Sequence, residues 1–285
     1  MKGIRFKEIQ KLNIMAVKIR KHIIEMLTRA KSGHPGGSLS CVEALIALYF
    51  AHMKHNPNNP FDPDRDRFIL SKGHAAPALY AVLAECGYFD IDELGNLRVV
   101  DCMLQGHPAC TLAPGIEAST GSLGHGLSFG IGHALAGKLD KKDYKIYVML
   151  GDGETDEGQV WEAVAVASHY KLDNITAMID RNYLQIDGNT EDVLSLEPIN
   201  KRWSAFGWNV IETDGHDIKK ILDALKEADA HKGNPSVIIL KTIKGKDVSF
   251  MENVVDFHGI PPKEEERDKA IKELDLLQKK LEAEL

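Results

Sequence analysis

No stretch of this 285-residue chain reaches 18 uninterrupted apolar residues, so nothing in it reads as a membrane span. The N-terminal region, MKGIRFKEIQKLNIMAVKIRKHIIEMLTRAKSG, has no apolar core flanked by a cleavage site and does not read as a signal peptide. Positive charge is not in excess. Against 42 Asp and Glu stand 35 Lys and Arg, a net charge of −7. No basic field covers the chain, which argues against nucleic acid as a partner. An anionic ligand would need a local device, a helix N-terminus or a metal. Cysteine is scarce. Cys41, Cys86, Cys102 and Cys110 form no CxxC pair. They read as reduced thiols of a cytoplasmic protein and give little support to a zinc site.

What is present is apolar residue in quantity, 44%, enough for a sizeable core. Residues 6 to 30 carry Ile9, Leu12, Ile14, Met15, Ile19, Ile23, Met26 and Leu27 at helical spacing. KSGHPGGSLS breaks that helix, and Ser38 or Ser40 is placed to cap a second helix through CVEALIALYFAHM. RFILSKGH reads as a short strand ending on a Gly-His turn. In AAPALYAVLAECGYF a helix is expected, with Pro77 in its first turn. Residues 104 to 123 are irregular. GHGLSFGIGHALAGKLD reads as a helix of small residues able to pack close to a sheet.

Then KIYVML, NITAMID, WNVIETDG and PSVIILKTI read as strands separated by helices. Alternation of apolar strands with helices predicts an α/β fold, a mostly parallel sheet with helices on both faces. The expected division is a domain over 1–262 and a helical tail over 263–285. That tail places Ile271, Leu274, Leu277 and Leu281 on one stripe, to pack on its own domain or a partner.

In open parallel sheets ligands bind at the carboxyl ends of the strands. Four Gly- or His-bearing turns fall at such ends or before helices: SGHPGG with His34, SKGHA with His74, QGHPA with His107 and GDGETDEG with Asp152. His258, in DFHG, follows the last strand by a loop. Gly151 and Gly153 would let the backbone turn tightly at Asp152, and a helix N-terminus there could take a phosphate. A carboxylate beside a phosphate repels it, and a divalent cation between them resolves the conflict. Mg2+ wants oxygen donors, commonly one or two from protein with phosphate and water. A second donor is expected at the end of the neighbouring strand. NITAMIDRNYLQIDG supplies Asn182, with the Leu184 carbonyl in reach, and 28 residues separate Gly153 from Asn182.

That spacing is similar to the thiamine diphosphate fingerprint. With AKSGHPGGSLS, FILSKGHAAPALY, GHP, TGSLGHG, GDGETDEGQVWEA and DRNYLQIDG in order, the chain resembles the transketolase family along nearly its whole length, at the family's N-terminal, diphosphate-binding domain. The resemblance implies the thiamine diphosphate-binding fold and a cytoplasmic ketol transferase of the pentose phosphate type. It implies that Asp152, Asn182 and the Leu184 carbonyl hold Mg2+, with Ca2+ or Mn2+ as substitutes. Gly151, Gly153, His74 and His258 would contact the diphosphate. Gly121, Leu123 and Ile186 would border the cofactor rings. His34 and His107 would face the sugar phosphate and move protons with His258. A neutral imidazole donates or accepts near pH 7, which suits that task. Glu157 matches an interface glutamate; otherwise it reads as a first-turn acid on a helix dipole.

The family glutamate that activates the cofactor, its pyrimidine pocket and its sugar-phosphate arginines lie in later domains. The expectation is therefore a split enzyme, inactive alone. Its partner would be a separate C-terminal transketolase subunit, in an α2β2-type assembly. Other readings stay open. A 2-oxo acid dehydrogenase chain should lack SGHPGG and SKGHA, and a deoxyxylulose-phosphate synthase should replace the SGHP turn. A transketolase for an unusual sugar or sulfosugar, or a non-catalytic thiamine diphosphate-binding module, are the remaining alternatives.

Overall fold

Five apolar runs lie side by side as one parallel sheet in the computed structural model, which describes residues 6–285. The strands are β1 (Arg67–Leu70), β2 (Ile146–Gly151), β3 (Ile175–Arg181), β6 (Asn209–Asp214) and β7 (Ser236–Lys241), in the order β1-β2-β3-β7-β6. A separate two-residue hairpin, β4 (Leu184–Gln185) and β5 (Gly188–Asn189), follows β3. The helices are α1 (Phe6–Ala30), α2 (Pro35–Ser40), α3 (Val42–Ala47), α4 (Ala76–Glu85), α5 (Gly126–Leu139), α6 (Gly158–His169), α7 (Thr190–Val193), α8 (Ile199–Ala205), α9 (Ile218–Ala230) and α10 (Glu264–Ala283).

Side chains alternate across each strand, and both faces of the sheet are covered. Tyr147 and Met149 of β2, with Met178, Ile238 and Leu240, face a core built with α1, α3, α4 and α9. Ile146, Val148 and Leu150, with Ile175, Ala177 and Ile179, face a second core built with α5, α6 and α8. The run KIYVML shows no polar alternation because neither face meets water. Helix α5 lies close on the sheet, as its small residues predict. A Cβ at Gly130 would fall 2.6 Å from Val148 Cγ2. Helix α10 packs along α1, setting Ala270 and Leu274 in the first core.

Two local expectations are corrected. Neither Ser38 nor Ser40 caps the second helix. Pro35, whose fixed φ suits a first helical turn, starts α2 earlier, and both serines lie inside it. Ser38 Oγ donates back to the His34 carbonyl at 2.7 Å, while Ser40 Oγ reaches the buried Asp180 carboxylate at 2.5 Å. The helix through CVEALIALYFAHM is also not continuous α-helix, since α3 loosens into a π-turn over Leu48–His52. Helix α1 ends where Lys31 turns left-handed at φ 50°. Pro77 does sit in the first turn of α4, and α9 is capped by Asp217, which accepts from the Lys220 N–H at 3.1 Å.

The register decides what meets at the carboxyl edge. Leu70 pairs with Met149, Gly151 with Asp180, and Arg181 with Lys241. The residues that follow β1, β2, β3 and β7 therefore leave the sheet together.

Candidate functional site

One cleft of about 370 Å³ opens at that edge. Every site residue named from the sequence lines it: His34, His74, His107, Gly121, Leu123, Gly151, Asp152, Gly153, Glu157, Asn182, Leu184, Ile186 and His258. His34 stands at the N-terminal boundary of α2, and His74 in a 3-10 turn over Gly73–Ala75 after β1. His258 closes another 3-10 turn, Val255–His258. Gly73 permits the close approach of the TGSLG segment, because a Cβ there would lie 1.8 Å from the Thr120 carbonyl oxygen.

Asp152 is buried at the end of β2, and its Oδ1 accepts from the Gly153 N–H at 2.8 Å. Oδ2 accepts from the Tyr183 N–H at 2.6 Å and lies 3.3 Å from the Arg181 guanidinium. The tight turn expected from its glycines is not what they provide. Neither Gly151 nor Gly153 has positive φ, and the turn that follows is a short 3-10 helix, not the start of α6. Gly153 is instead a matter of space: a Cβ would fall 2.7 Å from Gln185 Oε1. Asn182 is also buried, and its Oδ1 accepts from the Leu184 N–H at 3.1 Å. The Leu184 carbonyl accepts from the Lys244 ammonium at 2.7 Å.

These residues fit a diphosphate held through a divalent cation. Burial, then the neighbouring Asp180 charge, pushes the Asp152 carboxyl above its ordinary range, a penalty that a bound cation would relieve. The Leu184 oxygen is already presented to a positive group. One carboxylate, one amide oxygen and one carbonyl leave positions for phosphate and water, the set that Mg2+ takes. Among the described residues no group of three His, Cys, Asp or Glu is arranged to hold a metal.

The His34, His74 and His258 rings form a triangle, with centroids 5.2, 5.6 and 5.3 Å apart. Burial, then the charges of Arg98, His107 and Lys244, lowers His34 to about 4. Burial, then Lys244, lowers His258 to about 3, and burial with Lys72 holds His74 well below its ordinary value. All three are neutral at pH 7, able to donate to a phosphate or accept from a hydroxyl. The consequence for stability has a definite sign. Between the unfolded value of 6.5 and about 4, the unfolded chain binds protons that the folded chain does not. Stability therefore falls as pH drops through that window. In urea titrations the midpoint should fall from pH 7 to pH 5, and the fall should be smaller in His258→Asn. An equal fall in that variant contradicts this reading.

Several residues of the site are not signalled by the motifs. Lys72 is 1% exposed and donates to Asp180 Oδ2 and, at 2.8 Å, to the Gly37 carbonyl. It lies two residues before His74, inside the SKGHA motif. Lys244 contacts His258 Nδ1 at 2.8 Å, and burial and then Lys72 bring its ammonium down to about 8. It follows β7 by three residues, so the strand-end rule could have found it. Glu154 is buried and accepts from the Ser71 hydroxyl, from the Gly124 N–H at 2.9 Å and from the Gly151 N–H at 2.9 Å. It ties the ends of β1 and β2 to the TGSLG segment. Glu157 is exposed at the start of α6 and makes no cap bond with that helix. Ile186, 65% exposed, stands on the open side of the cleft.

Residues 11–282 match the family described as transketolase, thiamine diphosphate binding domain. An apulose-4-phosphate transketolase subunit of Phocaeicola vulgatus is 44% identical over 97% of this chain and 98% of its own. The 6-deoxy-6-sulfo-D-fructose transketolase subunit SqwG of a Clostridium species is 46% identical over 90% of this chain and 94% of its own. Transketolase from Campylobacter jejuni superposes with a TM-score of 0.89 at 33% identity. That match covers 95% of this chain and 43% of the Campylobacter chain. The matches cover nearly the whole chain, and the chain belongs to the transketolase family, as its thiamine diphosphate-binding domain.

Proposed function

We propose that this chain is the diphosphate-binding subunit of a transketolase-type enzyme and that it acts with a separate chain carrying the pyrimidine-binding and C-terminal domains. The observation that carries the proposal is the shared cleft in which the Asp152 and Asn182 clamp meets the His34 and His107 loops. Storage of a cofactor needs the clamp but not two further histidines in the same cleft. The split arrangement is supported by relatives named as transketolase subunits, which align along nearly their whole lengths. An α2β2-type assembly with the cofactor at the subunit interface would cover Leu123, Ile186 and Glu157.

In this reading Asp152, Asn182 and the Leu184 carbonyl hold Mg2+ against the diphosphate. His74, His258 and Lys244 neutralise or donate to its oxygens, with Lys244 moving from the Leu184 carbonyl. Thiamine diphosphate, when bound, would supply the carbanion-stabilising ring that ketol transfer from a ketose phosphate to an aldose phosphate requires. His34 and His107 hydrogen-bond the sugar hydroxyls. A neutral imidazole among them accepts the proton of the C3 hydroxyl as the C2–C3 bond breaks and returns it to the acceptor. Closure by the partner keeps water from the cleft.

A specialised donor is a second reading, favoured by the names of the two bacterial relatives, which specify apulose 4-phosphate and 6-deoxy-6-sulfo-D-fructose. Both sugars, with fructose 6-phosphate, should be offered with an aldose phosphate acceptor to the purified chain together with the product of the adjacent gene. We expect ketol transfer from at least one donor, dependent on Mg2+ and thiamine diphosphate. No transfer from any of the three by the reconstituted pair would count against the proposal.

A further inference from the structure

We propose that Arg98 is a positioning residue that fastens the loop carrying His34 to the loop carrying His107 beside the cleft. This rests on the reading of both histidines as sugar-facing. The guanidinium donates from Nη1 to Ser32 Oγ at 3.2 Å and from Nη2 to the Gly106 carbonyl at 3.4 Å. Ser32 lies two residues before His34, and Gly106 directly precedes His107. One planar fork therefore spans two segments that share no sheet strand or helix. Its acceptors are a hydroxyl and a carbonyl, not a carboxylate, so they do not neutralise its charge.

The backbone is built to deliver this side chain. Arg98 adopts φ 62°, a left-handed conformation that costs a residue with a side chain some energy. Its N–H donates to the Leu104 carbonyl at 2.8 Å, which closes the 98–104 loop. The fit on the His107 side is tight. A Cβ at Gly106 would lie 2.8 Å from Arg98 Cζ, so the bare glycine leaves room for the guanidinium. A lysine at 98 would keep the charge but could not bridge both loops with a rigid fork.

The charge has its own effect on the two rings. His34 faces His74, His258, His107, Lys244 and Arg98, and His107 faces Arg98. Burial first, and Arg98 second, hold both histidines below their ordinary value. The bridge and the charge are thus separable by substitution.

The test uses the assembled enzyme with Mg2+ and thiamine diphosphate, and whichever of fructose 6-phosphate, apulose 4-phosphate and 6-deoxy-6-sulfo-D-fructose it accepts. Arg98→Lys and Arg98→Met should each lower kcat at least about tenfold, on the scale of a lost positioning contact. Cofactor Kd should stay within about twofold, because Arg98 does not touch the Asp152 end. The acid limb of the kcat/KM profile should rise in Arg98→Met, where the cation is gone, and stay in place in Arg98→Lys. Gly106→Ala, which displaces the guanidinium without removing it, should lower kcat as well. Wild-type kcat in Arg98→Lys overturns the proposal. So does a loss of cofactor affinity that matches the loss of kcat, which would mark a merely structural role. A raised KM with kcat intact would make Arg98 a direct substrate contact and overturn it too. Failure of the underlying reading is seen separately, as no transfer by the unsubstituted assembly, and removes this proposal with it.

Discussion

Asp152→Asn should weaken Mg2+-dependent binding of thiamine diphosphate about 10- to 100-fold, while the chain stays folded. The magnitude follows from the loss of a charge-assisted contact, worth about 1.5–3 kcal/mol, and a factor of ten is about 1.4 kcal/mol. The fold should survive because burial and Asp180 already burden this carboxylate, so neutralising it removes a penalty. Its amide oxygen can still accept from Gly153. Calorimetric titration with cofactor, with and without Mg2+, measures the effect, and a urea midpoint serves as control. Asn182→Ala should act in the same direction with a smaller loss, since it removes a neutral donor. Unchanged binding in Asp152→Asn would remove the metal clamp from the reading.

Beneath the cleft, Lys72→Met should cost about 3–5 kcal/mol of stability, the range for a buried pair broken on one side. Asp180 is 0% exposed, and its other partners are the neutral groups of Ser40, Thr242 and Asn182. Burial drives its carboxyl up. Lys72, with the Ser40 and Thr242 hydroxyls, more than offsets this and keeps it ionised. Removing the ammonium leaves an uncompensated charge in the core. In the double variant Lys72→Met/Asp180→Asn the charge is gone as well, and part of the loss should return. A coupling near zero in that cycle would mean that Lys72 contributes little beyond its packing.

The sheet is legible in the sequence because its strands are buried on both faces and read as unbroken apolar runs. The proposed clamp rests in the sequence on spacing and motif order, because Asp152 between glycines and Asn182 after a strand are each ordinary turn residues when taken singly. The start of the second helix is not, because serine is a common cap, whereas here Pro35 starts the helix and Ser40 bonds a charge 140 residues away. The glycines of GDG suggest a tight turn, but φ is not visible in sequence, and Gly153 is needed for the space beside Gln185. Lys72, Glu154 and Arg98 escape a reading by motif for a shared reason. Each acts through partners distant in the chain, Asp180, Gly124 and Ser32 among them, and such pairings exist only once the strands are in register.

If this chain holds only the diphosphate end of its cofactor, ketol transfer must wait for a second chain. The deciding assay is transfer by the purified chain, alone and mixed with its candidate partner, at saturating Mg2+ and thiamine diphosphate. No transfer is expected from the chain alone, and transfer is expected once the partner is added. Turnover by the chain alone would contradict the split.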